Sequence, residues 1–278
     1  MYTPSRRLAA ASVSLATALA LAGCASDDTP TVTPSQPVAS ASASPSAAPS
    51  VDQMCSAKVA IDAAFLAGGP GDDSEEQTEA QVGQSLSDAF SAPYAELKRT
   101  AQPDVASAVD TEVNALQTAI TSGDGEFFFK PDFVAADKTI DDYLSNNCGY
   151  NKIAATAVNY EYQGLPSVSP SGLTGITLTN NGTEFHEMVL MRVDDGVTQS
   201  DDELLKMDQS EVQNKVKPMG VVLASPGTTA TNFFDLTPGR YIALCFISKG
   251  STEENNFQGD GPPHFTLGMH EPLRILGG

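Results

Sequence analysis

Three side chains that favour soft or borderline metals lie near the C-terminus of this 278-residue chain. Cys245 ends the apolar run that begins at Tyr241, and His264 and Met269 follow it with four residues between them. A thiolate and a thioether are soft donors, and with imidazole nitrogens they suit copper in a trigonal His₂Cys site with a weak axial methionine. Such a site needs a second histidine, and His186 is the only one upstream. These residue types therefore predict one copper ion bound by His186, Cys245, His264 and Met269.

Each proposed ligand also has an interpretation without a metal. A free cysteine such as Cys245 is often a small apolar residue buried in a strand. His186 could hydrogen-bond a loop, and the neighbouring Met188 is more typical of a core residue. His270 could replace Met269 or contribute to a site with harder donors. All three histidines of the chain fall in the same C-terminal region, which favours the metal site.

Residues 153 to 276 resemble the cupredoxins, the fold of the plastocyanin-type blue-copper proteins. In that family the first histidine ligand begins a core strand after an Asn-Gly-type turn, as in Asn180 to His186 here. The cysteine, second histidine and methionine come from one loop between the last two strands. The ligands occur here in the family's order: His186, Cys245, His264, Met269. Glu187 occupies a position where the family usually has asparagine, which is one departure from its pattern.

A second departure is the length of the segment between Cys245 and His264. Eighteen residues separate them, and the well-known cupredoxins have far fewer. If Cys245 ends one strand and His264 begins its antiparallel partner, the two side chains meet whatever the length of the loop. Lengthening a loop from two to eighteen residues costs only roughly 2 kcal/mol. Metal binding supplies on the order of 10 kcal/mol in structural zinc sites, so we expect both residues to be ligands.

The N-terminus has the pattern of a lipoprotein signal peptide over residues 1–23. Arg6 and Arg7 precede an apolar stretch, and Leu21-Ala22-Gly23-Cys24 ends it as a bacterial lipobox. Cleavage before Cys24 and lipidation of its thiol would anchor the protein to the outer face of the cell membrane. An ordinary secretory signal that contains a cysteine is the alternative. The strand around Cys245 and the distant His-x₄-Met pair also resemble those of actinobacterial lipoproteins.

Three further segments follow the signal peptide. Residues 24–50 are rich in Ser, Ala, Pro and Thr, and they predict a disordered tether because they offer little apolar surface to bury. Residues 51–150 show helical periodicity and predict a helical bundle domain. Residues 151–278 predict a cupredoxin-like domain, because seven or so short strands separated by Gly, Pro and Asn turns are typical of a Greek-key β-sandwich. One of these strands is expected from Ala154 to Tyr162, and the last from Leu267 to Leu276. The predicted fold class is therefore a helical bundle followed by an all-β sandwich.

Four helices are predicted in the bundle. Cys55, Val59, Ala63 and Leu66 share one face of the first, and Ser74 with Gln77 suggests a capping box that opens the second. Pro93 should kink or split that second helix. The apolar sets of the last two are Val105, Val109, Val113, Leu116 and Ile120, and then Phe133, Ala136, Ile140 and Leu144.

Cys55 and Cys148 are predicted to form a disulfide. In an up-down-up-down bundle the start of the first helix and the end of the fourth lie at the same end, and these cysteines occupy those places. Export favours oxidised thiols. With Cys24 lipidated, Cys245 would be the remaining thiol, and a lone thiol in an oxidising compartment needs a reason such as metal ligation.

The composition limits the function further. The formal net charge of −20 argues against nucleic acid as a partner and against a polybasic membrane patch. Copper-dependent electron transfer or copper handling, with a redox or copper-delivery protein as partner, is the favoured interpretation. A metal-free scaffolding module on the cell surface is the alternative. An oxidising enzyme ranks last, because no separate acid, base or substrate pocket can be named from the sequence.

Overall fold

The computed structural model describes residues 50–68, 77–255 and 258–277, and all of them belong to one compact unit. The predicted signal peptide, Cys24 and the tether up to residue 49 lie outside the described residues. Six helices are present in the described part: α1 (Val51–Gly68), α2 (Glu79–Thr100), α3 (Ala106–Ser122), α4 (Pro131–Asn147), α5 (Asp201–Leu205) and α6 (Gln209–Val212). Within these ranges no helix combines the length and apolar character that a membrane span needs.

Nine strands follow α4 and form two sheets. They are β1 (Asn151–Val158), β2 (Glu161–Gln163), β3 (Val168–Pro170), β4 (Gly172–Asn180), β5 (His186–Val193), β6 (Val216–Ala224), β7 (Thr229–Leu236), β8 (Gly239–Leu244) and β9 (His270–Leu276). The first sheet has the order β2-β1-β4-β7 and the second β3-β9-β8-β5-β6. Helices followed by a two-sheet sandwich confirm the predicted fold class.

The helices differ from their predictions mainly at their ends and on one face. The second helix begins at Glu79, with a capping box between Thr78 and Gln81, so the expected start at Ser74 is wrong, and Ser74 itself lies outside the described residues. Pro93 lies inside this continuous helix without splitting it. The buried side chains of α2 include Leu86, Phe90, Tyr94 and Leu97.

The predicted face of α1 was partly wrong. Cys55 is buried, but Val59 is half-buried, Ala63 is exposed and the side chain of Leu66 is not described. The buried face instead carries Met54, Cys55, Ala57, Lys58, Ile61 and Asp62. A hydrophobicity pattern places charged residues outside, and here Lys58 and Asp62 are buried because they pair with each other.

Five buried or half-buried charged side chains form what we call the charged cluster: Lys58, Asp62, Glu112, Asp137 and Asp141. The Nζ atom of Lys58 lies 2.9 Å from Oδ1 of Asp62 and of Asp137, and 3.3 Å from Oδ1 of Asp141, a charge contact without hydrogen-bond geometry. Burial lowers the pKa of Lys58, yet the surrounding carboxylates outweigh it and raise the pKa well above the ordinary value. Burial raises the pKa of Asp62 to about 6 and that of Glu112 well above its usual range.

Helix α1 covers the open side of the sandwich, where β6 and β7 are the edge strands of the two sheets. Asp62 Oδ2 accepts a hydrogen bond of 2.7 Å from the backbone N–H of Phe233 in β7. The ring of Tyr150 stacks on that of Phe233 at 4.6 Å, and its hydroxyl donates to the carbonyl of Cys55. An edge strand covered in this way cannot pair with another chain. The domain boundary near residue 150 stays a prediction, because a shared interface does not show whether either part folds alone.

The predicted disulfide is present between Cys55 and Cys148, with Cα atoms 5.9 Å apart. It joins the first turns of α1 to the residue that follows α4. In the chain-entropy description, closing a loop of 93 residues is worth about 4 to 5 kcal/mol of stability. Cys245 is the free cysteine of the described chain, as the pairing of the other two requires.

Two strand predictions needed correction. The strand expected from Ala154 to Tyr162 is divided into β1 and β2 by a turn at Asn159, whose φ of 52° is left-handed and suits asparagine. The strand expected from Leu267 begins only at His270, because His264–Leu267 form a 3₁₀ turn that ends at Gly268, with φ of 118°. Both corrections come from backbone turns that hydrophobic alternation does not reveal.

Candidate metal centre

A long loop connects Cys245 to His264, and backbone hydrogen bonds hold the two ends of this loop together. Cys245 directly follows β8, and its N–H donates to the carbonyl of Met269 at 3.3 Å. The N–H of His264 donates to the carbonyl of Ile247 at 2.9 Å. The prediction that His264 begins the antiparallel strand is wrong, because His264 lies in a 3₁₀ turn and the strand begins at His270. The side chains of Cys245 and His264 nevertheless meet at the base of the loop, as expected.

His186 is the first residue of β5, and the turn before it is built around Asn180. The Asn180 side-chain amide donates to the carbonyls of Glu184 and Ala224, and its Oδ1 accepts from the N–H of Gly182. Gly182 leaves room for the histidine, because a Cβ at that position would lie 2.7 Å from His186 Nε2. The Asn-Gly turn thus fixes where the first histidine ring can lie.

The three donor residues converge as the sequence predicted they must for a metal site. Ligand atoms of His186, Cys245 and His264 all lie within 4.8 Å of one another, and Cys245 Sγ is 3.4 Å from His264 Nδ1. Met269 is also fully buried, and it packs in the same core cluster as Cys245. We call these four residues the metal centre. Their exposed fractions are between 0% and 1%, so all four side chains are shielded from solvent.

His186 supplies the clearest sign that a ligand belongs here. It is 1% exposed, and neither ring nitrogen has a hydrogen-bond partner among the described residues. Leaving a buried polar group unsatisfied costs about 1 to 3 kcal/mol. A metal ion between His186, His264 and the sulfur would remove that cost. The donors present, two imidazoles, one thiol and one thioether, are those of a type 1-like copper site, so the residues fit this metal.

Without a metal the donors of this centre are neutral near pH 7. Burial, reinforced by the neighbouring His264, lowers the pKa of His186 to about 4. Burial also lowers the pKa of His264. Burial and the charge of Glu187 raise the pKa of Cys245 to about 12. The imidazoles are therefore ready to bind, while the thiol must release a proton when a metal binds.

The sulfur of Cys245 has a defined hydrogen-bond environment. The backbone N–H groups of Glu187 and Ile247 donate to it, and they lower its pKa against the larger effect of burial. The Glu187 side chain is turned elsewhere, and its Oε1 accepts from the N–H of Phe246 at 3.0 Å. Burial raises the pKa of this carboxyl to about 7. Glu187 therefore ties the strand that carries His186 to the residue that follows Cys245.

Glu184 contacts the site and was not identified from the sequence. Its Oε2 lies 3.1 Å from His264 Nε2, and the same carboxylate accepts from the Gly250 N–H and the Tyr160 hydroxyl. Burial raises the pKa of Glu184, but these hydrogen bonds outweigh it and leave the pKa below its ordinary value. The available signal was a carboxylate two residues before a proposed histidine ligand, on the same turn.

His270 does not join the metal centre. It begins β9, pairs with Leu244 across the sheet and is half-buried. The donor atoms that lie within 4.8 Å of one another are those of His186, Cys245 and His264, and His270 contributes none. The interpretation in which His270 replaces Met269 therefore loses its support.

Comparisons with known proteins give structural similarity only. No protein-family profile and no curated relative matches the chain. Among solved structures, a dithionite-reduced auracyanin from Roseiflexus castenholzii is 17% identical, with a TM-score of 0.30, covering 45% of this chain and 97% of that one. Auracyanin A, a blue copper protein from Chloroflexus aurantiacus, is 14% identical with a TM-score of 0.30, over 46% of this chain and 100% of that one. Reduced rusticyanin is 16% identical with a TM-score of 0.27, over 45% and 78%. At these values the similarities carry no argument about function, which has to come from the site itself.

Proposed function

We propose that this protein binds one copper ion at the metal centre and uses it to transfer electrons. The observation that carries the proposal is the pair of unsatisfied nitrogens on buried His186, within 4.8 Å of the donors of Cys245 and His264. A copper ion bound there would supply one-electron redox chemistry. The chain would supply a preformed set of donors, held by backbone hydrogen bonds at the base of the loop.

Each part of the protein has a separate task in this proposal. The Asn180 turn holds the first histidine, and the 3₁₀ turn holds the second. The N–H groups of Glu187 and Ile247 stabilise negative charge on the sulfur. Complete burial of the donors excludes water, which keeps the coordination unchanged when the charge of the site changes.

Copper handling is the second candidate, and the burial of the ligands favours electron transfer over it. Passing a metal to another protein requires an incoming ligand to reach the ion. Cys245, His264 and Met269 are all 0% exposed, so such an exchange would require the loop to open. Electron transfer needs no ligand exchange. Slow release of copper to a chelator combined with fast electron exchange would support this choice, and fast release would favour handling.

Copper titration tests the proposal directly. One equivalent of Cu(II) should produce an intense visible absorption band, because a copper-thiolate bond forms at Cys245. Cys245→Ser and His264→Gln should remove this band. His270→Gln is the matched control, since it changes a histidine six residues further on that lies outside the metal centre, and it should retain the band.

A colourless protein with no measurable affinity for copper would contradict the proposal. Unchanged thermal stability on adding copper or a chelator would then favour the metal-free scaffolding module. In that case His186→Gln and His264→Gln should behave alike and leave any partner binding intact.

The location of the protein belongs to the same proposal. The lipobox ending at Cys24 supports a lipid anchor on the outer face of the cell membrane, and the net charge of −20 favours a cationic redox protein as partner. Mass spectrometry of the mature protein should show lipid on Cys24. Cys24→Ala should release the protein from membranes, and a membrane-bound variant would contradict the anchor.

A further inference from the structure

The two histidines of the metal centre have very different surroundings. His186 has no hydrogen-bond partner on either ring nitrogen within the described ranges. His264 uses both of its nitrogens, because Nδ1 lies 3.4 Å from Cys245 Sγ and Nε2 lies 3.1 Å from Glu184 Oε2. Of the two histidines, only His264 therefore has a carboxylate in contact with the ring nitrogen that does not face Cys245.

The carboxylate of Glu184 is itself held in place. Tyr160 OH donates to Oε1 at 3.0 Å, and the N–H of Gly250 donates to Oε2. Gly250 belongs to the long segment between Cys245 and His264, and the carbonyl of Ser251 in this segment accepts from the N–H of Phe185. The Glu184 side chain is only 17% exposed. This half-buried side chain thus connects the turn before β5, the long loop and the ring of His264.

This geometry selects one tautomer of His264. A carboxylate is a hydrogen-bond acceptor, so the ring nitrogen that faces it carries the proton. With the proton on Nε2, the lone pair of Nδ1 points to the side of Cys245 Sγ. The ring of Tyr160 packs against that of His264 with centroids 4.8 Å apart, which further limits its rotation.

We propose that Glu184 is a positioning residue that holds His264 with Nδ1 free to bind and that biases the bound copper toward Cu(II). The second half of this inference rests on the proposed function. A carboxylate behind a metal-bound imidazole orients the ring and makes it a more basic ligand, and loss of such a partner typically costs 10- to 100-fold in metal affinity. A more basic ligand and a nearby negative charge stabilise the more highly charged ion. The negative charge of Glu184 therefore acts through His264.

The first experiment needs no metal. Nitrogen-15 NMR of the metal-free protein at pH 8 should show His264 as a single tautomer, protonated at Nε2. In Glu184→Gln that single-tautomer pattern should be lost, because an amide can face the ring with either its oxygen or its NH₂ group. A wild-type His264 protonated at Nδ1, or an equal mixture of tautomers, would overturn the inference whether or not the variant folds.

The second experiment uses the copper-loaded protein. Glu184→Gln should weaken Cu(II) about tenfold relative to Cu(I), which raises the reduction potential by about 59 mV for a one-electron couple. Glu254→Gln removes the same charge from an exposed position on the same loop, and it should leave the potential unchanged. Tyr160→Phe keeps the carboxylate and loses one of its donors, so its shift should be smaller. Equal potentials in wild type and Glu184→Gln would overturn the Cu(II) bias.

The two experiments separate this inference from the proposed function. If the wild type binds no copper but shows the Nε2-protonated tautomer, the proposed function and the Cu(II) bias both fail, while the positioning role stands. If copper binds with a visible band and His264 is protonated at Nδ1 in the metal-free protein, the proposed function stands and the positioning role of Glu184 fails.

Discussion

The charged cluster of the helices and the metal centre of the sandwich are both buried, yet they differ in the source of their cation. In the charged cluster the protein supplies it, since Lys58 Nζ lies within 3.3 Å of three carboxylates. In the metal centre the donors surround one another, and His186 has nitrogens without a partner in the described chain. The charged cluster is therefore structural, because its cation is part of the chain. The metal centre is a binding site, because its cation must come from solution.

The chemistry of the donors follows the same division. Carboxylate oxygens are charged and pair with an ammonium group at any pH where both are ionised. A buried thiol and two buried imidazoles are neutral, and they gain most from a soft or borderline metal. The position of Lys58 also argues against a metal ion among the acidic side chains of this cluster, because its Nζ atom already lies within 3.3 Å of three of the four carboxylates.

Removing the cation of the charged cluster should have the largest effect. Lys58→Met leaves buried carboxylates without a partner, and we expect a loss of about 3 to 5 kcal/mol in the free energy of unfolding at pH 7. Denaturant unfolding measures it. Lys138→Met is the matched control, because Lys138 pairs with Asp142 at the surface, with 68% of its side chain exposed. A loss in Lys58→Met no larger than in this control would contradict the comparison.

Changing a donor of the metal centre should have the opposite effect on the metal-free protein. His186→Leu replaces a buried ring without partners by an apolar side chain, so the metal-free variant should be at least as stable as the wild type at pH 8. Copper at a free concentration of a thousand times its Kd should stabilise the wild type by about 4 kcal/mol and the variant not at all. Thermal unfolding with and without copper measures both effects. A metal-free variant that is markedly less stable would show that His186 is structural.

The two clusters should also respond oppositely to pH. The pKa of His186 is lowered from 6.5 to about 4, so between these values the unfolded state binds more protons than the folded state. Its contribution to stability is complete above pH 6.5 and is lost as the pH falls through 4, by up to about 3 kcal/mol. The pKa of Asp62 is raised from 3.8 to about 6, so its contribution is present below pH 3.8 and lost as the pH rises through 6.

Equilibrium unfolding of the metal-free wild type and of His186→Leu at several pH values separates the contribution of His186 from that of the charged cluster. The carboxylates of the charged cluster are common to both proteins, so the difference between the two curves reports His186 alone. The wild type should lose stability relative to the variant below pH 6.5. Parallel curves from pH 7 to pH 4 would contradict the lowered pKa of His186.

The smallest effect is expected from the turn that positions His186. Gly182→Ala would place a Cβ 2.7 Å from His186 Nε2, so the ring has to move. We expect copper affinity to fall about tenfold, or about 1.4 kcal/mol, with little change in the stability of the metal-free protein. Gly277→Ala is the matched control, because a Cβ there meets only Pro238 at an ordinary 3.6 Å. Competition with a copper chelator measures both variants.

Much of the site could be predicted because it depends on residue types that are rare in this chain. There are four cysteines and three histidines, so Cys245, His186 and His264 were nearly the only soft or borderline donors available. The sequence could not provide the orientation of His264, because a 3₁₀ turn and the residues around it determine that orientation. Glu184 was missed for a similar reason, since its contact with His264 spans 80 residues of sequence.

In the helical region, too, the sequence pattern predicted only part of what is buried. The period of α3 and α4 predicted most of their buried faces, because apolar side chains fill these faces except at Glu112 and Asp141. The face of α1 was mispredicted because Lys58 is buried by carboxylates from α1, α3 and α4. A one-dimensional pattern assigns a lysine to solvent, and only residues distant in sequence reverse that assignment.

By itself the sequence determined the order of helices and strands, the Cys55–Cys148 pairing and the donor types at His186, Cys245, His264 and Met269. These features follow from local periodicity, from the topology of a four-helix arrangement and from the chemistry of individual side chains. The tertiary structure alone decided that the donors of His186, Cys245 and His264 converge within 4.8 Å, that Glu184 contacts the ring of His264, and that Lys58 is buried. Each of these is a contact between distant segments, and its energy depends on burial and distance, which exist only once the chain has folded.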